Sequence, residues 1–269
     1  MKINQIQEKG TGLINEDFLL VNGNIFGVFD GSTSLDGLKF EDGKTGGLLA
    51  SNIAGEVFKR NGDSLINLAG EANFAINQAM VENGVDTSKK SNLWSTSAAV
   101  VRVEEDEFEW IQTGDCLILA IYEDDSYKIL VDGFNHDKET LLMWKHMANY
   151  TSETIHNALK DQITSVRTDA NVSYGVFNGE NQALDFLKSG RERLNGVRDL
   201  IIFTDGLLIP SRDPEVDRDF ALFVKLFQES GLQNVKDFIR DTEKDDPACR
   251  LYPRFKAHDD IAAISLSFS

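Results

Sequence analysis

Positive charge, cysteine, proline and long apolar runs are all scarce in this chain. Lys and Arg number 27 against 44 Asp and Glu, for a net charge of -17. A nucleic-acid backbone would be repelled by such a surface rather than neutralised, which excludes a nucleic-acid partner. An anionic substrate would have to be captured through bound cations. The two cysteines, Cys116 and Cys249, have no metal or redox spacing and suit a reducing compartment. With only 4 prolines and no low-complexity stretch, no linker divides the chain. The opening residues Met1 to Gln5 lack the apolar core of a secretory signal, and no segment reaches membrane-span length. A cytoplasmic protein with no membrane partner is expected. His136, His146, His156 and His258 show neither nucleophile nor zinc spacing.

Aspartates are abundant, and two of them are placed alike. Ile25 to Phe29 is an apolar run that ends on Asp30-Gly31, and Leu200 to Thr204 ends on Asp205-Gly206. Such runs read as buried strands, so each delivers a carboxylate at a strand end. Taken singly, each Asp-Gly is a turn signal and no more. Phe18 to Val21 pairs with the first run through Asn22-Gly23-Asn24, a hairpin signal.

Gly47 to Arg60 and Ser64 to Glu82 carry the three-four apolar repeat of helices, with Ser64 as N-cap and Asn83-Gly84 as the stop. Ser97 to Val103, Glu107 to Gln112, Leu117 to Tyr122 and Tyr127 to Val131 read as a four-strand meander. Residues 138 to 160 look irregularly helical, while 161 to 190 resist assignment. Asp219 to Gln228 and Val235 to Thr242 read as helices, and Ile261 to Phe268 as a closing strand. Strands, helices, strands, helices and a strand, in that order, predict an α+β layered fold with mainly antiparallel sheets.

Acidic residues recur at the strand edges: Glu16-Asp17, Asp30, Asp115, Asp205 and Asp259-Asp260. Hard divalent cations such as Mg²⁺ and Mn²⁺ take oxygen ligands, and a close pair of them can hold both ends of a phosphoryl displacement. Carboxylates packed together without cations would repel one another.

These segments give the chain a resemblance to the metal-dependent type 2C (PPM) protein serine/threonine phosphatases, in particular to bacterial members. It is carried by Asn15-Glu16-Asp17, Phe26-Gly27-Val28-Phe29-Asp30-Gly31, Ser95-Thr96-Ser97-Ala98, Thr113-Gly114-Asp115-Cys116, Phe203-Thr204-Asp205-Gly206-Leu207 and Asp259-Asp260-Ile261, in family order. The resemblance implies one phosphatase domain over residues 1–269, a four-layer αββα sandwich with the metals in a cleft at one edge. It implies a monomer that removes phosphate from Ser or Thr of protein substrates, using a hydroxide that bridges two Mn²⁺ or Mg²⁺ ions.

Carried over by position, Asp30 bridges both ions and the Gly31 carbonyl binds one of them. Asp205 and Asp259 ligate the other, while Glu16 and Asp17 bind directly or through water. Asp30, Asp205 and Asp259 thus form the catalytic set. Asp260 supports it, and Ser95 to Ala98 packs beneath.

Several positions depart from the pattern. The family's phosphate-binding arginine falls on Gly12, with Lys9 the nearest cation and so the candidate phosphate ligand. The histidine that often follows the first Asp-Gly is Ser32. A third ion would use Asp115 and Asp205 but lacks its other acid, since that position is Ile209. The flap, within about 135–190, matches least. The alternative is a catalytically weak or silent phosphatase-like domain that acts as a binding or regulatory module. A P-loop at Asp42-Gly43-Lys44-Thr45 fails on spacing, and a haloacid-dehalogenase site fails because position 28 is Val rather than Asp.

Overall fold

The computed structural model describes residues 1–32, 37–131 and 135–268. Its elements in chain order are β1 (Lys2–Glu8), β2 (Phe18–Asn22), β3 (Ile25–Ser32), α1 (Gly46–Lys59), α2 (Leu65–Glu82), β4 (Ser95–Val103), β5 (Glu107–Thr113), β6 (Leu117–Tyr122) and β7 (Tyr127–Ile129). There follow α3 (Lys138–Met147), α4 (Ile155–Ala158), α5 (Lys160–Thr168), β8 (Lys188–Arg193), β9 (Val197–Phe203), α6 (Phe220–Lys244) and β10 (Ile261–Ser267).

Two five-stranded antiparallel sheets result, ordered β2-β3-β4-β5-β8 and β1-β10-β9-β6-β7. The two-residue side-chain period of each strand sorts its residues into layers. On β3, Ile25 and Phe29 face α1 and α2, joining Ala54, Phe58, Leu68 and Ile76. Phe26 and Val28 face the other way, into the space between the sheets, where they meet Ile118, Leu200, Ile202 and Ile264. On the outer face of the second sheet, Leu119, Ile201 and Phe203 pack against Phe223, Val235 and Ile239 of α6. Strands buried on both faces need no polar alternation, which explains their continuous apolar runs. This is the predicted αββα sandwich.

The helix starts follow from their caps. The Ser64 hydroxyl accepts from the Asn67 amide at 3.2 Å, and that of Thr45 from the Leu48 amide at 3.3 Å. The hairpin at Gly23-Asn24 forms as expected, with Asn22 opposite Ile25 and Gly23 at φ 61.

Two expectations need correction. The four-strand meander does not exist: β5 lies in one sheet and β6 in the other, where β6 pairs with both β7 and β9. Gly114, at φ 71, takes the chain across from one sheet to the other. Two strands had no apolar signature: β1 and β8 are polar edge strands held by their partners β10 and β5. The two helices of the 219–242 region do form, on either side of the non-helical pair Ser230-Gly231 within α6, where Gly231 has φ 73. Trp94, Trp110 and Trp144 are all buried. Among the described residues, no helix is long and apolar enough to cross a membrane.

Candidate functional site

Asp30 has the strand parity of Phe26 and Val28, so its carboxylate emerges between the two sheets at their open end. β3 does not stop there: Asp30 pairs with Ser97 and Gly31 with Thr96, which fixes the aspartate within a ladder rather than a loose turn. Gly31 is required by close approach. A Cβ there would lie 2.3 Å from the Gly47 carbonyl oxygen and 2.6 Å from that of Glu16. Across the gap, β9 ends in the short helical turn Asp205–Leu207, which presents the Asp205 carboxylate. Gly206 is equally constrained, since its Cβ would meet the Asp260 carbonyl oxygen at 1.9 Å. Both Asp-Gly pairs therefore use glycine for backbone contact, and neither uses a positive φ.

The loop before β10 supplies Asp259 and Asp260, and the two have different surroundings. Asp260 is buried, and its carboxylate accepts the amides of Gly10 at 2.7 Å and Glu16 at 2.9 Å. It thus fastens the loop that carries Glu16 and Asp17. Asp259 faces the cleft, with its backbone carbonyl held by the Arg240 guanidinium at 2.7 Å. Arg240, 7% exposed, also bonds Glu8 and Glu243, so α6 braces this loop from behind.

Asp17 accepts from the Thr204 hydroxyl at 2.8 Å, which joins the first loop to the end of β9. Glu16 accepts from the hydroxyl of Thr45, the residue that caps α1. Asp115 stands on the β5–β6 turn.

Asp30, Gly31, Asp115, Asp205 and Asp259 line a single cleft of about 590 Å³. Asp17 lies behind its floor, and its charge acts on Asp30 more than that of any other carboxylate. Glu16 is also buried. Burial and the facing carboxylates push Asp17 and Asp30 well above the usual range. Asp205 rises to about 8 through burial, Asp259 and Asp115, although its hydrogen bond to Asp30 works against this. An all-oxygen donor set that resists carrying its own charge fits hard divalent cations.

Two features were not foreseen from the sequence. Lys256 lines the cleft, with its ammonium 2.6 Å from Asp259 Oδ1. Burial would lower its pKa, but Asp259, Asp30 and Asp205 outweigh that and raise it. Lys256 and Asp259 lie three residues apart in the irregular chain between α6 and β10, where no helical spacing rule marks them as a pair. The second is His136, whose Nε2 lies 3.7 Å from Asp115 Oδ2 and 3.6 Å from Asp137 Oδ2. No spacing rule reaches it, because the turn and the segment are joined only in space.

Lys9, the nearest cation to the vacant arginine position, is not in the cleft. It is exposed, its ammonium reaches the Leu13 carbonyl at 3.5 Å, and it borders a separate depression with Lys236, Arg240 and His258. His258 itself turns to Glu243 at 2.8 Å. Another wall of the acid cleft comes from α4, α5 and the chain after them and includes His156, Lys160, Arg167 and Tyr174.

No protein-family model and no curated protein matches the chain. Solved structures do. A bacterial serine phosphatase superposes with a TM-score of 0.61 at 16% identity, covering 100% of this chain and 98% of that one. Serine/threonine phosphatase Stp1 from Staphylococcus aureus gives 0.61 at 16% identity, covering 100% and 95%. The catalytic domain of the serine/threonine protein phosphatase PstP, in complex with two manganese ions, gives 0.58 at 11% identity, covering 98% and 96%. The chain therefore has the fold of the bacterial PPM-type serine/threonine phosphatases, as its motifs suggested.

Proposed function

We propose that this chain is a metal-dependent phosphatase of phosphoserine and phosphothreonine in proteins. The observation that carries this reading is the convergence of Asp17, Asp30, Asp205 and Asp259, drawn from both sheets, around one cleft. Asp30, the Gly31 carbonyl, Asp205 and Asp259 would hold two Mn²⁺ or Mg²⁺ ions, with Glu16 and Asp17 behind them. Such a pair of ions supplies Lewis-acid charge for the phosphoryl oxygens and a nucleophile drawn from water at neutral pH. The remaining work falls to the chain. Lys256, rather than Lys9, offers the cation that draws a phosphate dianion into the acidic cleft. As a point charge it attracts without the bidentate grip of an arginine. The segment 135–190 shapes which peptide can enter. Residues 1–269 act as one domain, and the protein works as a cytoplasmic monomer.

One observation favours the silent-domain alternative. Lys256 already pairs with Asp259 at 2.6 Å, so a metal must compete with a resident cation for that ligand. Hydrolysis of a chromogenic phosphate ester and of a phosphothreonine peptide separates the two readings. The enzyme reading expects turnover with Mn²⁺, none with EDTA, and a loss of at least about a hundredfold in Asp30→Asn. Metal-independent turnover, or full activity in Asp30→Asn, would sink it. Binding of the phosphopeptide without hydrolysis would establish the silent module.

A further inference from the structure

The cleft contains a mixed nitrogen and oxygen cluster beside the acid cup. Asp115 comes from the β5–β6 turn, whereas His136 and Asp137 come from the chain entering α3. One ligand atom from each lies within 4.8 Å of the other two. The separations of 3.6 and 3.7 Å from His136 Nε2 exceed hydrogen-bond range. Donor atoms bound to one ion at about 2.0–2.2 Å sit roughly 3–3.5 Å apart, so a small inward movement closes the set.

Three independent features prepare this arrangement for a ligand. The His136 ring is stacked flat on Tyr174, with centroids 4.1 Å apart and planes within 2°. The Tyr174 hydroxyl in turn donates to the Val166 carbonyl at 3.2 Å, so the imidazole plane is fixed from behind. Asp137 occupies the N-cap position of α3, where aspartate ordinarily accepts a helix amide, yet its side chain makes no cap bond. Finally, Thr140, 1% exposed, lines the same cleft one turn along α3, and among the described residues its hydroxyl has no hydrogen-bond partner. A buried hydroxyl without a partner costs roughly 1–3 kcal/mol unless something at the site, a water or an ion's shell, satisfies it.

We infer that Asp115, His136 and Asp137 form a separate binding site for a borderline divalent cation, of which Zn²⁺ is the type. Imidazole with two carboxylates suits zinc or iron(II) better than magnesium. Three protein ligands leave positions open to water, and the unpartnered Thr140 hydroxyl belongs to the same cleft. The family's third-ion pattern fails at Ile209; here the ligands beyond Asp115 come from another element altogether. A bound ion would tie the 135–137 chain to the β5–β6 turn and place a positive charge next to Asp30 and Asp205, both of which feel Asp115. The inference rests on these residues and not on phosphatase activity.

Zinc binding by calorimetry, on the whole chain without substrate, provides the test. Wild type should bind one zinc ion that Asp30→Asn retains. His136→Phe keeps an aromatic ring on Tyr174 but removes the nitrogen, and should weaken that ion at least tenfold, as should Asp137→Asn. Zinc-edge X-ray absorption of wild type should show an imidazole in the shell, a readout that needs no variant to fold. Equal zinc binding in wild type, His136→Phe and Asp137→Asn overturns the site. So does an all-oxygen shell, or loss of the ion in Asp30→Asn alone. Failure of ester hydrolysis bears only on the phosphatase reading.

Discussion

Lys256 has two opposing effects on the cleft, and a single substitution separates them. Its ammonium pairs with Asp259 and so competes with any cation for that ligand, while under the proposed function it would also draw in an incoming phosphate. Lys256→Met keeps the aliphatic stem and removes the charge. The Mn²⁺ concentration for half-maximal hydrolysis should fall, whereas KM for a phosphopeptide should rise, each by roughly tenfold, or about 1.4 kcal/mol. Steady-state kinetics against both variables reads them apart, and an unchanged KM would remove Lys256 from phosphate capture. At this scale the sequence was a good guide to the acids, because Asp30 and Asp205 each close an apolar run whose strand character is local. It was silent on Lys256 and His136. Their importance lies in what faces them across the cleft, and Asp115 is not a near neighbour of His136 in the chain.

Among the elements, the stretch between α6 and β10 shows how one carboxylate can hold an irregular segment whose apolar packing includes Phe255. Asp246 accepts the amides of Arg250, Leu251 and Tyr252 at 2.9–3.0 Å and the Arg254 guanidinium at 3.0 Å. Burial alone would raise this carboxyl, but the amides and Arg254 prevail and hold it below the ordinary range. The sign follows directly. The unfolded chain takes up the proton first, so the stabilisation is present above the unfolded value and is lost as pH falls below about 4. Asp246→Asn should cost about 2 kcal/mol at neutral pH, and the gap to wild type should narrow on acidification. Thermal melts from pH 7 to 3 check this, and a gap independent of pH would contradict it. This clamp supports the approach to Lys256 and Asp259. Nothing about it could be read from Asp246-Pro247 as a dipeptide beyond a turn. The same limit applied to β1 and β8, whose strand character comes from partners β10 and β5 rather than from their own polar residues. It also applied to β5 and β6, because which sheet a strand joins depends on pairings such as β6 with β9, about 80 positions onward.

Over the whole molecule, the acid cup spans the sandwich. Asp30 belongs to one sheet, while Asp205 and Asp259 adjoin strands of the other. Cations that bind there would bind only the folded chain and offset the burial and the mutual repulsion that raise the Asp30 and Asp205 pKa values. A hundredfold excess of Mn²⁺ over its Kd should therefore add about 2.7 kcal/mol. That corresponds to roughly 5–10 °C in Tm for a chain of this size. Differential scanning calorimetry with Mn²⁺ and with EDTA measures it, and Asp30→Asn should lose most of the increment. An unchanged Tm in wild type would mean that the cup holds no ion.

The seat of β10 between β1 and β9 has a temporal consequence. A nascent chain can complete the sheet of β2, β3, β4, β5 and β8 once residue 193 has emerged, and with it the setting of Asp30. The other sheet stays split until residues 261–267 insert between its first strand and β9. Asp259 arrives with that insertion, and Asp260 then fastens the loop bearing Glu16 and Asp17. Any activity in this cleft that needs Asp259 therefore waits until residues 261–267 have been made and have inserted between β1 and β9.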